Sequence, residues 1–161
     1  MRFRPGLTAH RGKLLSKRNA GSAVHAGTFP RKREMVLDRE LLEKPSELAR
    51  IFVHELFHFA WVRLGNTRRR SFETLLASEF GARARGELGW SAESRKHALT
   101  PRDRRLRTRH WRAYVCESFC DSAAWLYAGI ARHQEFTLAP RFRAARRAWF
   151  REYIAGGPVS I

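Results

Sequence analysis

Only two of the 161 residues are cysteine. Two thiols cannot build the disulfide framework that staples a small secreted domain. Cys116 and Cys120 sit four apart on an expected helix, where their Cβ directions converge poorly for a bridge. They read as reduced thiols, small residues of the core, in a reducing compartment. Acid is scarce too: 15 Asp and Glu stand against 32 Lys and Arg, a formal charge of +17. No apolar run approaches the roughly 20 residues that a membrane span needs. The opening MRFRPGLTAHRGKLLSKRNAGSAVHAG is basic but has no apolar h-region, so it does not read as a secretory signal. A cytoplasmic location is therefore expected. Neither an internal repeat nor a second-domain boundary is visible.

The charge predicts attraction to polyanions, either nucleic acid or an anionic membrane surface. The competing reading is a compositional bias toward Arg spread over solvated faces. The densest run is RDRRLRTRHWR, residues 102 to 112, but no nucleic-acid-binding fold signature accompanies it.

Hydrophobic residues make up 43% of the chain, enough to fill the core of one domain. Residues 1 to 22 lack periodicity and read as a loose basic tail, with the folded domain over 23 to 161. Two short strands are expected, around AVHAGTF and EMVLD, with Pro30 between them, and they suit a hairpin. Asp38 is placed to cap a short helix in RELLEK. The next helix is expected from near Ser46 to Gly65-Asn66, and a third from about Ser71 to Arg85. A helical turn is expected after Ser91, and a long helix from about Arg109 to Ile130. A last helix starts near Pro140, turns Phe142, Ala145, Trp149 and Tyr153 inward, and stops at Gly156-Gly157-Pro158. The fold class expected is α+β: one mostly helical domain with a small sheet or hairpin ahead of the second helix.

That second helix carries IFVHELFHFAWVRLG, residues 51 to 65, apolar almost all the way round yet holding His54, Glu55 and His58. His54-Glu55-Leu56-Phe57-His58 is an H-E-x-x-H motif. Residues four apart on a helix lie about 40° apart, so both imidazoles leave one face and can grip one ion. Zinc suits neutral imidazole nitrogen and tetrahedral geometry. Glu55, about 100° round from His54, is placed to take a proton from a metal-bound water without being a ligand. Two imidazoles in so apolar a helix need partners, and a metal supplies one for both; backbone carbonyls are the structural alternative.

A catalytic zinc needs a third protein ligand. His97, His110, His133 and several carboxylates follow in the chain. Among the later glutamates only Glu117 has a carboxylate four residues on, Asp121, one of just three aspartates. On the long helix the two share a face. Glu117 can then reach the metal while Asp121 accepts a hydrogen bond from the outer nitrogen of a ligating histidine. An ordinary solvated helix face is the alternative reading of this pair.

HELFH followed by ESFCD resembles the gluzincin branch of zinc metallopeptidases, and the short length is similar to minimal gluzincins and to the small ImmA/IrrE-type peptidases. The resemblance spans two helices and the strand before them, about half the chain. It implies a zincin-like fold, zinc held by His54, His58 and Glu117, Glu55 as general base, Asp121 behind a ligand, and a peptide or protein substrate. The family's oxyanion-stabilising Tyr or His has no motif here; His110, Tyr114, Tyr127 and His133 are the candidates. EMVLD is the expected edge strand for substrate alignment. Two rivals remain. A SprT-like, DNA-associated metalloprotease would take His97 or His110 as third ligand and use Arg102 to Arg112, with Trp111, on DNA. A non-catalytic basic module would keep zinc for folding and bind nucleic acid.

Overall fold

The computed structural model describes residues 1–10, 13–16 and 22–154. Six short strands come first: β1 (Arg2–Arg4), β2 (Leu7–His10), β3 (Lys13–Ser16), β4 (Ser22–Ala23), β5 (Ala26–Phe29) and β6 (Glu34–Asp38). Six helices follow among the described residues: α1 (Pro45–Arg63), α2 (Asn66–Gly81), α3 (Trp90–His97), α4 (Pro101–Leu106), α5 (Arg109–Tyr127) and α6 (Pro140–Tyr153). The class is α+β, mostly helical, with the small sheet ahead of the helices.

The expected hairpin is present. β5 pairs antiparallel with β6, Ala26 opposite Leu37 and Phe29 opposite Glu34. Two expectations for this region need correcting. Residues 1 to 22, read as a loose tail, include three strands and the start of β4; β1 lies parallel to β6, Arg2 beside Val36, and β2 pairs with both β3 and β4. EMVLD is therefore not an edge. It is the centre of the order β1-β6-β5, whose edges are β1 and β5. Short strands so close to a chain end give little periodic signal, and partner choice is a tertiary property.

Asp38 ties these pieces together. Its Oδ1 accepts the Glu40 amide at 3.0 Å, capping a 3₁₀ turn over Arg39–Glu43, and its Oδ2 accepts the Leu7 amide at 2.8 Å. The cap was legible in the sequence; the second bond joins segments 31 residues apart.

Met35 and Leu37 of β6 pack with Leu41, Ile51 and Phe59, which glues the sheet to one side of α1. The other side of α1 presents Phe57 and Ala60 to a larger core of Phe72, Trp111, Tyr114, Phe119, Trp149 and Phe150 from α2, α5 and α6. Aromatic edges and faces fill it, as in the stacked Phe119–Phe150 pair with centroids 5.1 Å apart. α1 is thus held on two sides, and a third remains for its polar residues. It begins at Pro45, one residue before the expected Ser46, because a first-turn proline has no amide to leave unpaired. α2 starts at Asn66, five residues earlier than expected, after Gly65 turns the chain at φ +77°. The polar stretch from 86 to 107, expected to hold one helical turn, contains two short helices.

On α6, Trp149 faces inward as expected and so does Arg146, which is fully buried. Its guanidinium meets Glu79 at 2.7 Å and Glu87 at 2.8 Å. Glu87 also accepts from Tyr114 Oη at 2.6 Å and Lys96 Nζ at 2.9 Å. Every charge there is paired, the condition for burying it. α6 ends at Tyr153; the expected Gly156-Gly157-Pro158 stop lies outside the described residues.

Candidate metal centre

His54, Glu55 and His58 project from the third side of α1 into a cavity of about 620 Å³. β5 forms one wall through Ala26, Gly27 and Thr28; Trp90, Ser91 and Arg95 of α3 form another; Glu117 and Asp121 of α5 close the floor. α1 and α5 pack directly on each other, which brings residues sixty-odd positions apart in sequence to one place. Thr28 Oγ1 donates to the Glu55 carbonyl at 3.2 Å and so pins the edge strand to the helix beside the site.

Glu117 Oε2 lies 3.2 Å from His54 Nε2 and 3.9 Å from His58 Nε2. Each separation is short enough for Glu117 and that imidazole to reach a common ion. The other carboxylate oxygen, Oε1, meets Arg95 at 3.1 Å, so the guanidinium holds the outer side of the group while its inner oxygen faces the imidazoles. Behind His54, Asp121 Oδ1 lies 2.7 Å from Nδ1. With Asp121 ionised, that bond requires the proton on Nδ1 and leaves Nε2 to face Glu117. Asp121 is itself held, since its Oδ2 accepts the Ala92 amide from the first turn of α3 at 2.9 Å.

The backbone makes room for this carboxylate at Gly89. A Cβ there would fall 2.3 Å from Asp121 Cγ. Glycine is required by the close approach, not by its dihedral angles.

Electrostatics favour a cation. Burial works to depress His54, but the charge and hydrogen bond of Asp121, with those of Glu117, raise its pKa well above the ordinary 6.5. Burial works to raise Glu117, yet the His54 hydrogen bond and the charges of His58, His54 and Arg95 hold it down at about 2. Two carboxylates around a buried imidazole make a place where a proton or a metal ion is stabilised.

Glu55 is buried too, but its carboxylate has no hydrogen bond or ion pair among the described residues, while the side chain lines the cavity. Glu117 and Asp121 are tied to neighbours; Glu55 is not.

One residue was read differently from sequence. Both cysteines are free, as expected, and Cys120 is fully buried. It is more than a core residue, however: one donor atom each from His54, His58 and Cys120 can be chosen so that all lie within 4.8 Å of one another. This buried group could hold a metal ion. The signal was available, because Cys120 lies three residues beyond Glu117 and residues at that spacing share a face. Burial and Cys116 push the Cys120 thiol well above its ordinary value of 9.0. The Cys116 thiol, hydrogen-bonded by Cys120 and with its sulfur 3.6 Å from His58 Nδ1, is lowered to about 6.

The remaining candidates lie elsewhere. His97 and His110 are exposed, and neither lines the cavity. Tyr114 is buried on Glu87, Tyr127 stacks on Phe57, and His133 bonds Glu47; none reaches the site. The sequence matches no family model. Nor does any curated protein or solved structure match it. The geometry alone therefore carries the functional reading.

Proposed function

We propose that the chain is a zinc-dependent metallopeptidase. The observation that carries this reading is the convergence of Glu117 Oε2 on the Nε2 atoms of His54 and His58, with Asp121 on the far nitrogen of His54. His54, His58 and Glu117 would hold zinc, a mixed imidazole and carboxylate set that leaves a fourth position open, as catalytic zinc requires. Bound zinc lowers the pKa of a coordinated water toward about 7 and polarises a carbonyl. Asp121 keeps His54 in the ligating tautomer, and Arg95 keeps the Glu117 carboxylate turned inward. Glu55, whose carboxylate is unengaged, takes the proton of the attacking water and returns it to the leaving amine. The peptide would lie along β5, the sheet edge on the cavity wall, by adding a strand.

A second reading has its own observation. Coordination by His54, His58 and Cys120, closed by Glu117 as a fourth ligand, would give a buried centre of the kind that stabilises folds. Metal analysis of dialysed protein separates the two. In the peptidase reading, purified wild type carries one zinc, Glu117→Ala loses most of it and Cys120→Ala keeps it. Loss of zinc from Cys120→Ala establishes the structural centre instead. Casein and a quenched fluorescent peptide mixture then test catalysis. Glu55→Gln should retain zinc and lose hydrolysis, and normal turnover by that variant would remove Glu55 as the base.

A further inference from the structure

Away from the cavity, α2 and α4 enclose a surface groove lined by arginine. Arg70, Arg104, Arg105 and Arg107 line one stretch of about 330 Å³, with Glu73, Thr74, Ala77 and Trp111. Arg102 joins Arg104, Arg105 and Ala77 in the adjoining stretch of about 490 Å³. Arg109 and Arg112 follow on the first turn of α5. Along that helix Arg109 stands eight residues, about 12 Å, from Glu117, so the two regions are separate.

Three features distinguish this surface from evenly scattered charge. Its acids are already engaged: Glu73 accepts from Arg107 at 2.6 Å and from the Trp111 indole at 2.8 Å, and Asp103 accepts from the hydroxyls of Thr100 and Thr108 at 2.6 and 2.5 Å. Second, Arg70, Arg102, Arg105, Arg109 and Arg112 are exposed and make no hydrogen bond or close ion pair among the described residues, although the charge of Arg70 acts on Glu73. Third, the other arginine-rich helix, α6, uses four of its five arginines on its own protein, Arg146 in the buried cluster and three at its surface. Arg141 covers Phe142 at 4.6 Å, Arg147 covers Trp125 at 4.8 Å, and Arg143 donates to the carbonyls of Leu138 and Phe136. Uncommitted forks of this kind suit bidentate recognition of phosphate.

The partner's form follows from what the groove lacks. Trp111, the aromatic in this run, is 1% exposed with its N–H on Glu73, so it offers no face for stacking a base. That removes the stacking platform on which single-strand binding depends and corrects the role given to Trp111 above. Leu106 is the one large apolar side chain strongly exposed on α4, too little for membrane insertion. We propose that this groove, with Arg109 and Arg112, binds the phosphate backbone of double-stranded nucleic acid without reading its sequence. Long side chains three residues apart on α4, Arg102 and Arg105, can reach neighbouring phosphates.

Fluorescence anisotropy on a 20-base-pair DNA duplex and an RNA duplex of equal length, over a series of salt concentrations, tests this. With four or five phosphates neutralised, log K should fall against log salt with a slope of about −4. Arg102→Gln/Arg105→Gln should reduce the slope by about 2 and the affinity at 0.1 M salt by about tenfold or more, with an unchanged circular dichroism spectrum. Arg70→Gln/Arg109→Gln should act alike. Arg147→Gln/Arg151→Gln on α6 should change neither. Preference for one duplex type names the nucleic acid. An equal loss in the α6 pair overturns the proposal in favour of general charge. So does tighter binding to single strands, or to vesicles containing phosphatidylserine, than to either duplex.

Discussion

His54 Nδ1 and Asp121 Oδ1 lie 2.7 Å apart, and both residues are buried. The bond turns an imidazole on α1 toward Glu117, and the same aspartate holds the start of α3 through Ala92. One carboxylate thus fixes a ring orientation and the position of a helix.

Asp121→Asn keeps the side chain's shape but removes the charge that fixes the tautomer of His54. Zinc affinity, measured by competition with a chromophoric chelator, should fall about 10- to 100-fold. An unchanged affinity would show that His54 is oriented by something else.

Gly89→Ala drives a methyl group into Asp121, whose buried carboxylate is bonded on both sides. We expect a loss of about 1–3 kcal/mol in urea unfolding, the range for overpacking, together with weaker zinc binding. Gly81→Ala is the control: a Cβ there meets nothing within 4 Å. It should leave stability unchanged or raise it by a few tenths of a kcal/mol.

Arg146→Met removes the cation that, among the described residues, pairs with both Glu79 and Glu87. Both carboxylates lose their strongest partner while staying buried, so the cost should be about 3–5 kcal/mol. A urea midpoint close to wild type would mean that water or a rearranged Lys96 takes over.

Acid should act through Glu87. Burial tends to raise its pKa, but Arg146, Lys96 and the Tyr114 hydroxyl outweigh that and lower it from the ordinary 4.5. A depressed folded-state value contributes stability that is fully present above the unfolded value of 4.5 and disappears as pH falls through the folded value. Unfolding free energy should therefore drop between pH 5 and the acid limit. In Glu87→Gln that part of the slope should vanish, although the variant starts less stable. An identical slope in both proteins would assign acid sensitivity to other carboxylates.

Much of this molecule could be read in order along the chain. Asp38 before RELLEK, Pro140 at a helix start, and the five-residue strand EMVLD each depend on neighbours in sequence, so each was legible. The spacing within HELFH and within ESFCD placed each set of side chains on one helix face for the same reason. Arg146 was not legible as a buried residue, because nothing near it shows that Glu79 and Glu87 wait across the core. The strand partners of residues 2–4 were equally hidden, since parallel pairing with β6 joins segments more than thirty residues apart.

By itself, then, the sequence determined the α+β class, the helical register of His54, Glu55, His58, Glu117 and Asp121, and the excess of positive charge. Periodicity and spacing are local, and a helix converts them directly into direction. Only the tertiary structure decided that α1 and α5 meet along those two faces, that Cys120 shares the neighbourhood of the histidines, that β5 is the edge strand beside the cavity, and that Trp111 is buried. Each of these depends on which surfaces pack together, and packing is settled by burial summed over the whole chain.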